Sequence, residues 1–182
     1  MPVNFLPMSP DDTEDVIAFL ASNRFPFHVQ AAPRAESVRA GVEGGRFWNA
    51  DTQGYWVLLD GQRLGIAALE DLQDASPLFD LRLDEAHRGK GLGVEVVRAL
   101  CDLVFTTMPD VLRFEGQTRE DNIAMRKTFL RCGFLKEAHY RMAWPTNDGG
   151  HVASTAYAIL RQDWLYGTAT TFEWEEIHIH PA

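Results

Sequence analysis

The seven residues His87-Arg88-Gly89-Lys90-Gly91-Leu92-Gly93 constrain this chain more than any other stretch. They follow an apolar run with strand character, Leu78-Phe79-Asp80-Leu81-Arg82-Leu83, and they open a run with helical character, Val94 to Cys101. A glycine-rich turn joining a strand to a helix N-terminus suits an anion. Glycines let the backbone curl until several N–H groups converge. The helix end adds unpaired donors and partial positive charge, and Arg88 and Lys90 add full charge. The Walker pattern requires Gly-Lys-Ser/Thr, and no hydroxyl residue follows Lys90. The dinucleotide fingerprint requires G-x-G-x-x-G, whereas the spacing here is Gly89-x-Gly91-x-Gly93. Two alternatives are left: a different phosphate ligand, or an ordinary turn that holds nothing.

The second half of the chain bears on that choice. Val111 to Glu115 has strand character. Asp121-Asn122 starts a short helix, Gly133 stands where its C-cap belongs, and a new apolar run follows. Arg88-x-x-Gly91-x-Gly93 resembles the pyrophosphate loop of the GNAT (Gcn5-related N-acetyltransferase) superfamily, which holds coenzyme A. Glu95, Asn122-Ile123-Ala124-Met125, Gly133-Phe134, Glu137 through Arg141 and Tyr157 through Trp164 most resemble its RimJ/RimL-type branch, which acetylates ribosomal-protein N-termini. The resemblance covers roughly residues 55–165, and the first 50 residues match in outline. It implies an α/β GNAT fold, with a mixed central sheet of about seven strands splayed at the cofactor site and about four flanking helices.

Composition sets bounds. The chain has 182 residues, 46% of them hydrophobic, enough for one packed domain. We take residues 1–167 as the acetyltransferase domain and 168–182 as a C-terminal tail. No apolar run approaches a membrane span, and the N-terminus has no signal-peptide pattern. Two cysteines, Cys101 and Cys132, suit free thiols in a reducing, cytoplasmic setting. The net charge of −9 argues against nucleic-acid binding and favours a cationic acceptor such as an amine. The tail carries His178 and His180, a metal pair or an incidental alternation; no metal site is expected.

Periodicity and punctuation place the remaining elements. Strands are expected at Asn4–Leu6, Tyr55–Leu59, Leu64–Leu69 and Leu78–Leu83, at 111–115, and near 134–143 and 151–160. The turn Asp60-Gly61 joins the second and third. Helices are expected after Ser9-Pro10, from about Arg34 to Val42, after the glycine turn, and over 121–131.

The resemblance also assigns roles. Backbone amides of Arg88, Gly89, Lys90, Gly91, Leu92, Gly93 and Val94 would bind the pyrophosphate of acetyl-CoA, the cosubstrate. The backbone of Leu81 and Leu83 would pair with the pantetheine arm. Asn122 heads an inward helical stripe with Met125, Phe129 and Cys132. It is either the helix cap or a partner for pantetheine or substrate. Arg126 would reach a phosphate or sit on a solvated face. The chemistry implied is direct acyl transfer to a primary amine, with Asp80 as the candidate base. Glu70, Glu115, His139 and Tyr140 are alternatives.

The chain departs from the family at the general acid. Many members carry tyrosine where Phe129 stands, and the ribosomal-protein branch can use serine where Met125 stands. A thiolate leaving unaided is tolerable, because a free thiol has a pKa of about 8.5. At pH 7 an α-amine is roughly a tenth neutral and a lysine amine about one part in 2,500, a difference that favours a low-pKa acceptor. The expected acceptor is a protein N-terminal α-amine or a small-molecule amine, an aminoglycoside or polyamine included. Alternatives are an acyl-CoA-binding module without turnover and a domain whose loop binds nothing. A homodimer is among the expected assemblies. Trp48, Trp144, Trp164 and Trp174 are candidates for an acceptor groove, a dimer contact or the core.

Overall fold

A computed structural model describes residues 2–173. Trp174, His178 and His180 lie outside the described residues. Seven strands run in chain order as β1 (Val3–Pro7), β2 (Gln53–Leu59), β3 (Gln62–Glu70), β4 (Leu78–Leu83), β5 (Arg113–Arg119), β6 (Leu135–Pro145) and β7 (His151–Leu160). The helices are α1 (Thr13–Ser22), α2 (Ala35–Glu43), α3 (Leu92–Thr107), α4 (Ile123–Arg131) and α5 (Arg161–Tyr166). The sheet order is β1-β2-β3-β4-β5-β7-β6. Every adjacent pair is antiparallel except β4–β5.

Strand alternation divides the core between the two faces. On β2 and β3, Trp56, Ile66 and Ala68 pack with Val16, Ile17 and Leu20 of α1 and Val38 and Val42 of α2. Tyr55, Val57, Ala67 and Leu69 pack with α3. Val96, Val97, Leu100, Cys101, Val104 and Phe105 form one buried stripe on α3. Burying each large apolar side chain is worth about 1.5–3 kcal/mol.

The parallel pair is short. β4 and β5 register only at Leu78↔Glu115 and Phe79↔Gly116. Below that joint, Glu115 N–H donates to the Pro77 carbonyl. Above it, Asp80–Leu83 stay with β3 and Gln117–Arg119 stay with β7. The joint is crowded: a Cβ on Gly116 would lie 2.6 Å from the Phe129 ring and 2.9 Å from that of Phe79. Phe129 stacks on Tyr157, centroids 4.9 Å apart.

The observed elements follow the expected ones, with shifts at the ends. β5 starts two residues later than expected and runs to Arg119, because its polar second half pairs with β7. α5 was not anticipated. Its six residues are too few to show a period, and it is fixed from outside: Arg161 donates to the carbonyls of Val111, Phe105 and Met108. Residues 168–170 fold back on Asp163, which accepts from the Thr168 hydroxyl and the Thr170 N–H.

Gly116→Ala should destabilise the fold by about 1–3 kcal/mol, the usual cost of overpacking. Urea denaturation would show a lower midpoint at constant slope; an unchanged midpoint would contradict the packing described at the joint.

Candidate active site

The divergence of β4 from β5 exposes backbone. Asp84 N–H donates to the Leu64 carbonyl, and the register pairs Arg82 with Ile66. Even-numbered residues of β4 therefore bond to β3, and the N–H and C=O groups of Leu81 and Leu83 face the gap. Opposite them stands the start of α4. Asn122 caps this helix, its Oδ1 accepting from Met125 N–H at 3.2 Å, while its Nδ2 donates to Thr118 Oγ1 at 3.0 Å. Both of its polar ends are engaged, so the cap reading of Asn122 describes the structure, and Asn122 still lines the gap.

The glycine turn closes one end of this gap. Gly89 and Gly91 have φ of 75° and 82°, values that favour glycine. A Cβ on Gly91 would meet nothing within 4 Å, so its requirement is conformational. Gly91 is the N-cap of α3; its carbonyl accepts from Val94 N–H at 3.3 Å, and the amides of Leu92 and Gly93 before it have no intrahelical partner. Arg88 Nε and Nη2 are buried without a hydrogen-bond partner among the described residues. The nearest carboxylate to Arg88 is Glu85, 4.0 Å away. Orphaned guanidinium nitrogens beside free helix-start amides fit a pyrophosphate. A cavity of about 480 Å³ extends from this turn along Leu81 and Leu83 to Asn122 and Met125.

Two expectations are altered here. Arg126 does not line the cavity at the glycine turn: its Nε donates to Tyr157 Oη and its Nη1 to the Glu120 carbonyl. Lys127, Thr128 and Arg131 on the adjacent face of α4 line the cavity instead, a placement that depends on the rotation of α4 against α3. Lys90 is exposed and lies outside the lining, although its neighbours Gly89 and Gly91 belong to it.

A second cavity, of about 510 Å³, meets the first at Phe27, His28, Leu81, Arg82, Asn122 and Met125. Glu70, Asp80, Arg46 and Trp144 line its far side. The α1–α2 loop roofs the junction from both edges of the gap. His28 Nε2 and Asp80 Oδ1 share a 2.9 Å hydrogen bond, and Arg119 of β5 donates to the Pro26 carbonyl at 3.3 Å. The sequence shows residues 25–28 only as a helix break; their partners are 52 and 93 positions away.

Asp80 is heavily engaged. Its Oδ2 accepts from Arg82 Nε at 2.9 Å and lies 2.8 Å from Arg82 Nη2, with Arg46 Nη2 at 3.4 Å. Burial alone would raise its pKa; the charges of Arg82 and then His28, with their hydrogen bonds, overcome burial and hold the carboxyl well below the usual range. A carboxylate so held has little affinity for a proton. Glu70 is the opposite case: burial, then the charge of Asp80, raises its pKa. Burial also raises both thiols, Cys132 to about 11, so neither is a ready nucleophile. Of the other candidate bases, Glu115 is ion-paired to Arg113 at 2.6 Å, and His139 faces Glu120 at 3.4 Å. Among the described residues, no group of three or more His, Cys, Asp or Glu side chains is arranged to hold a metal ion.

The acetyltransferase (GNAT) domain family matches residues 3–135, and the chain belongs to that family. It is an acyltransferase that uses acetyl-CoA as its donor. No curated protein matches its sequence. Solved structures share the fold at low identity. A probable acetyltransferase is 20% identical, with a TM-score of 0.73 over 90% of this chain and 95% of that one. Spermidine N-acetyltransferase from Vibrio cholerae, solved with CoA and spermine, is 15% identical, with a TM-score of 0.75 over 90% and 98%. The ribosomal-protein α-N-acetyltransferase RimL, solved with coenzyme A, is 17% identical, with a TM-score of 0.69 over 88% and 94%. Among the described residues, no helix is long and apolar enough to cross a membrane.

Gly93→Glu should abolish coenzyme A binding with little change in melting temperature. Gly93 lines the cavity, and its Cβ would meet Thr128 Oγ1 at an ordinary 3.4 Å, so the fold accommodates the side chain while a carboxylate enters the anion site. Calorimetry would show this; wild-type affinity would remove the turn from the binding site.

Proposed function

We propose that this protein acetylates a primary amine of low pKa, either the α-amine of a peptide or a small-molecule monoamine. The observation that carries this reading is the pair of cavities meeting across the β4–β5 gap. One would take acetyl-CoA, with Arg88 and the amides of residues 88–94 at the pyrophosphate and the Leu81 and Leu83 backbone along the pantetheine arm. The other would deliver the amine. Acetyl-CoA supplies the thioester acetyl group; the chain positions it, excludes water under the Phe25–His28 roof, and removes the amine proton.

Two features support a low-pKa monoamine. Neither branch hydroxyl is available at the junction: Met125 lines it, and Phe129 is fully buried in the core. The carboxylates of the cavity, Glu70 and Asp80, are weak bases, and a site that relies on them does best with an amine that is readily neutral. Bringing a lysine amine to the neutral form costs about 4–5 kcal/mol at pH 7. A polyamine would need several available carboxylates along its length. The acceptor cavity holds Glu70 and Asp80, and Asp80 is already neutralised by Arg82 and Arg46. A cytoplasmic site of action belongs to this reading, supported by two free cysteines.

Thiol release from acetyl-CoA would be compared for a lysine-free peptide with an open N-terminus, an N-blocked lysine peptide and spermidine. We expect the α-amine to give the highest kcat/KM near pH 7, by 10-fold or more. Faster turnover of lysine or spermidine would overturn the choice of acceptor.

A further inference from the structure

We propose that Glu70, at the end of β3, is the group that receives the acceptor: it holds the incoming ammonium and takes its proton. The proposal rests on the amine-acetylating reading of the same site and specifies its base.

The cavity contains two carboxylates in unlike settings. Asp80 and Glu70 share one face of the sheet, since Ala68 pairs with Asp80 and Glu70 with Leu78. Asp80 is consumed by Arg82, Arg46 and His28. Its cluster joins β4 to the roof loop, and in that role Asp80 is a positioning residue. Glu70 is half-buried and lines the cavity, yet its carboxylate makes no hydrogen bond or ion pair among the described residues. A partly desolvated carboxylate without a partner costs stability, and such groups are found where function requires them. Two acids held apart in proton affinity divide their tasks accordingly: the engaged one stays ionised, and the other exchanges protons.

The transfer then balances. An N–H bond of the ammonium breaks and its proton goes to a Glu70 carboxylate oxygen, directly or through one water. The neutral nitrogen bonds to the thioester carbonyl carbon. The C–S bond breaks and the thiolate leaves with its electron pair. The second proton lost from nitrogen passes to that thiolate, and the proton on Glu70 returns to solvent. The charges facing Glu70 are Asp80 and Arg82 on β4, Arg46 between α2 and β2, and its neighbour Asp71; His28 lies in the same cavity.

Glu70→Gln, with Glu70→Asp as the conservative variant, tests this on the best of the three acceptors above. Glu70→Gln should lower kcat/KM about 10²–10⁴-fold near pH 7 and leave coenzyme A affinity unchanged. The wild-type profile should rise through the pKa of Glu70 and level off. The Gln variant should instead follow the fraction of neutral amine, so that the deficit shrinks toward high pH. Glu70→Asp should recover part of the rate. The stability sign runs opposite to activity. A carboxyl whose folded pKa is raised loses stability as pH rises through its unfolded and folded values, so Glu70→Gln should melt at or above the wild-type temperature near pH 7. A wild-type rate and profile in Glu70→Gln, or a lower melting temperature with the rate loss, would overturn this inference alone. No turnover of any acceptor by the wild type would overturn the functional reading and this inference with it.

Discussion

β4 and β5 are joined over two residue pairs and then separate, and the site follows from that separation. The joint can be short because the aromatic cluster beneath it is rigid: Phe79, Phe114, Phe129 and Phe134 lie edge-on or tilted to one another at centroid distances of 5.1–6.5 Å. Gly116 lets Phe129 press against the strand. With the lower end fixed, the upper ends are held apart by their other partners, β3 on one side and β7 on the other. Unpaired strand backbone is normally a liability. Here it lies under the α1–α2 loop, which is tied to β4 through His28 and to β5 through Arg119.

Electrostatics at the site is local. The chain carries a net charge of −9, yet the end of the cavity at the glycine turn presents Arg88, Lys127 and Arg131 beside the start of α3. The second cavity mixes signs, and Arg82 is its pivot. Buried to 6% exposure, it neutralises Asp80 and lies over the Phe25 ring at 5.3 Å. It thereby links the strand, the roof loop and the charge balance of the acceptor cavity. Removing it would leave Asp80 buried with less compensation, which is costly.

The parts legible in the sequence are those set by near neighbours. The glycine turn, the hairpin at Asp60-Gly61, the stripe on α3 and the cap at Asn122 each depend on residues a few positions apart, and the structure has all four. The even-odd alternation of β4, applied to the sequence, already separates Asp80 and Arg82 from Leu81 and Leu83. What could not be seen depends on distant partners. Asp80 and Glu70 are both plain acids in sequence; the pairing of Asp80 with Arg82, joined by Arg46 and His28 from distant segments, distinguishes them. Arg126 and Lys127 are adjacent, and the rotation of α4 against α3 decides which of them lines the cavity at the glycine turn. α5 is held by contacts to residues 50 to 56 positions away.

Whether the gap and the glycine turn together form an acetyl-CoA site can be read from calorimetric titration. Acetyl-CoA and acetyl-pantetheine would be titrated into the wild-type protein. Saturable binding of acetyl-CoA and far weaker binding of acetyl-pantetheine are expected, because the nucleotide end is what the Arg88 guanidinium and the helix-start amides would hold. Equal affinity for the two, or no heat from either, would contradict such a site.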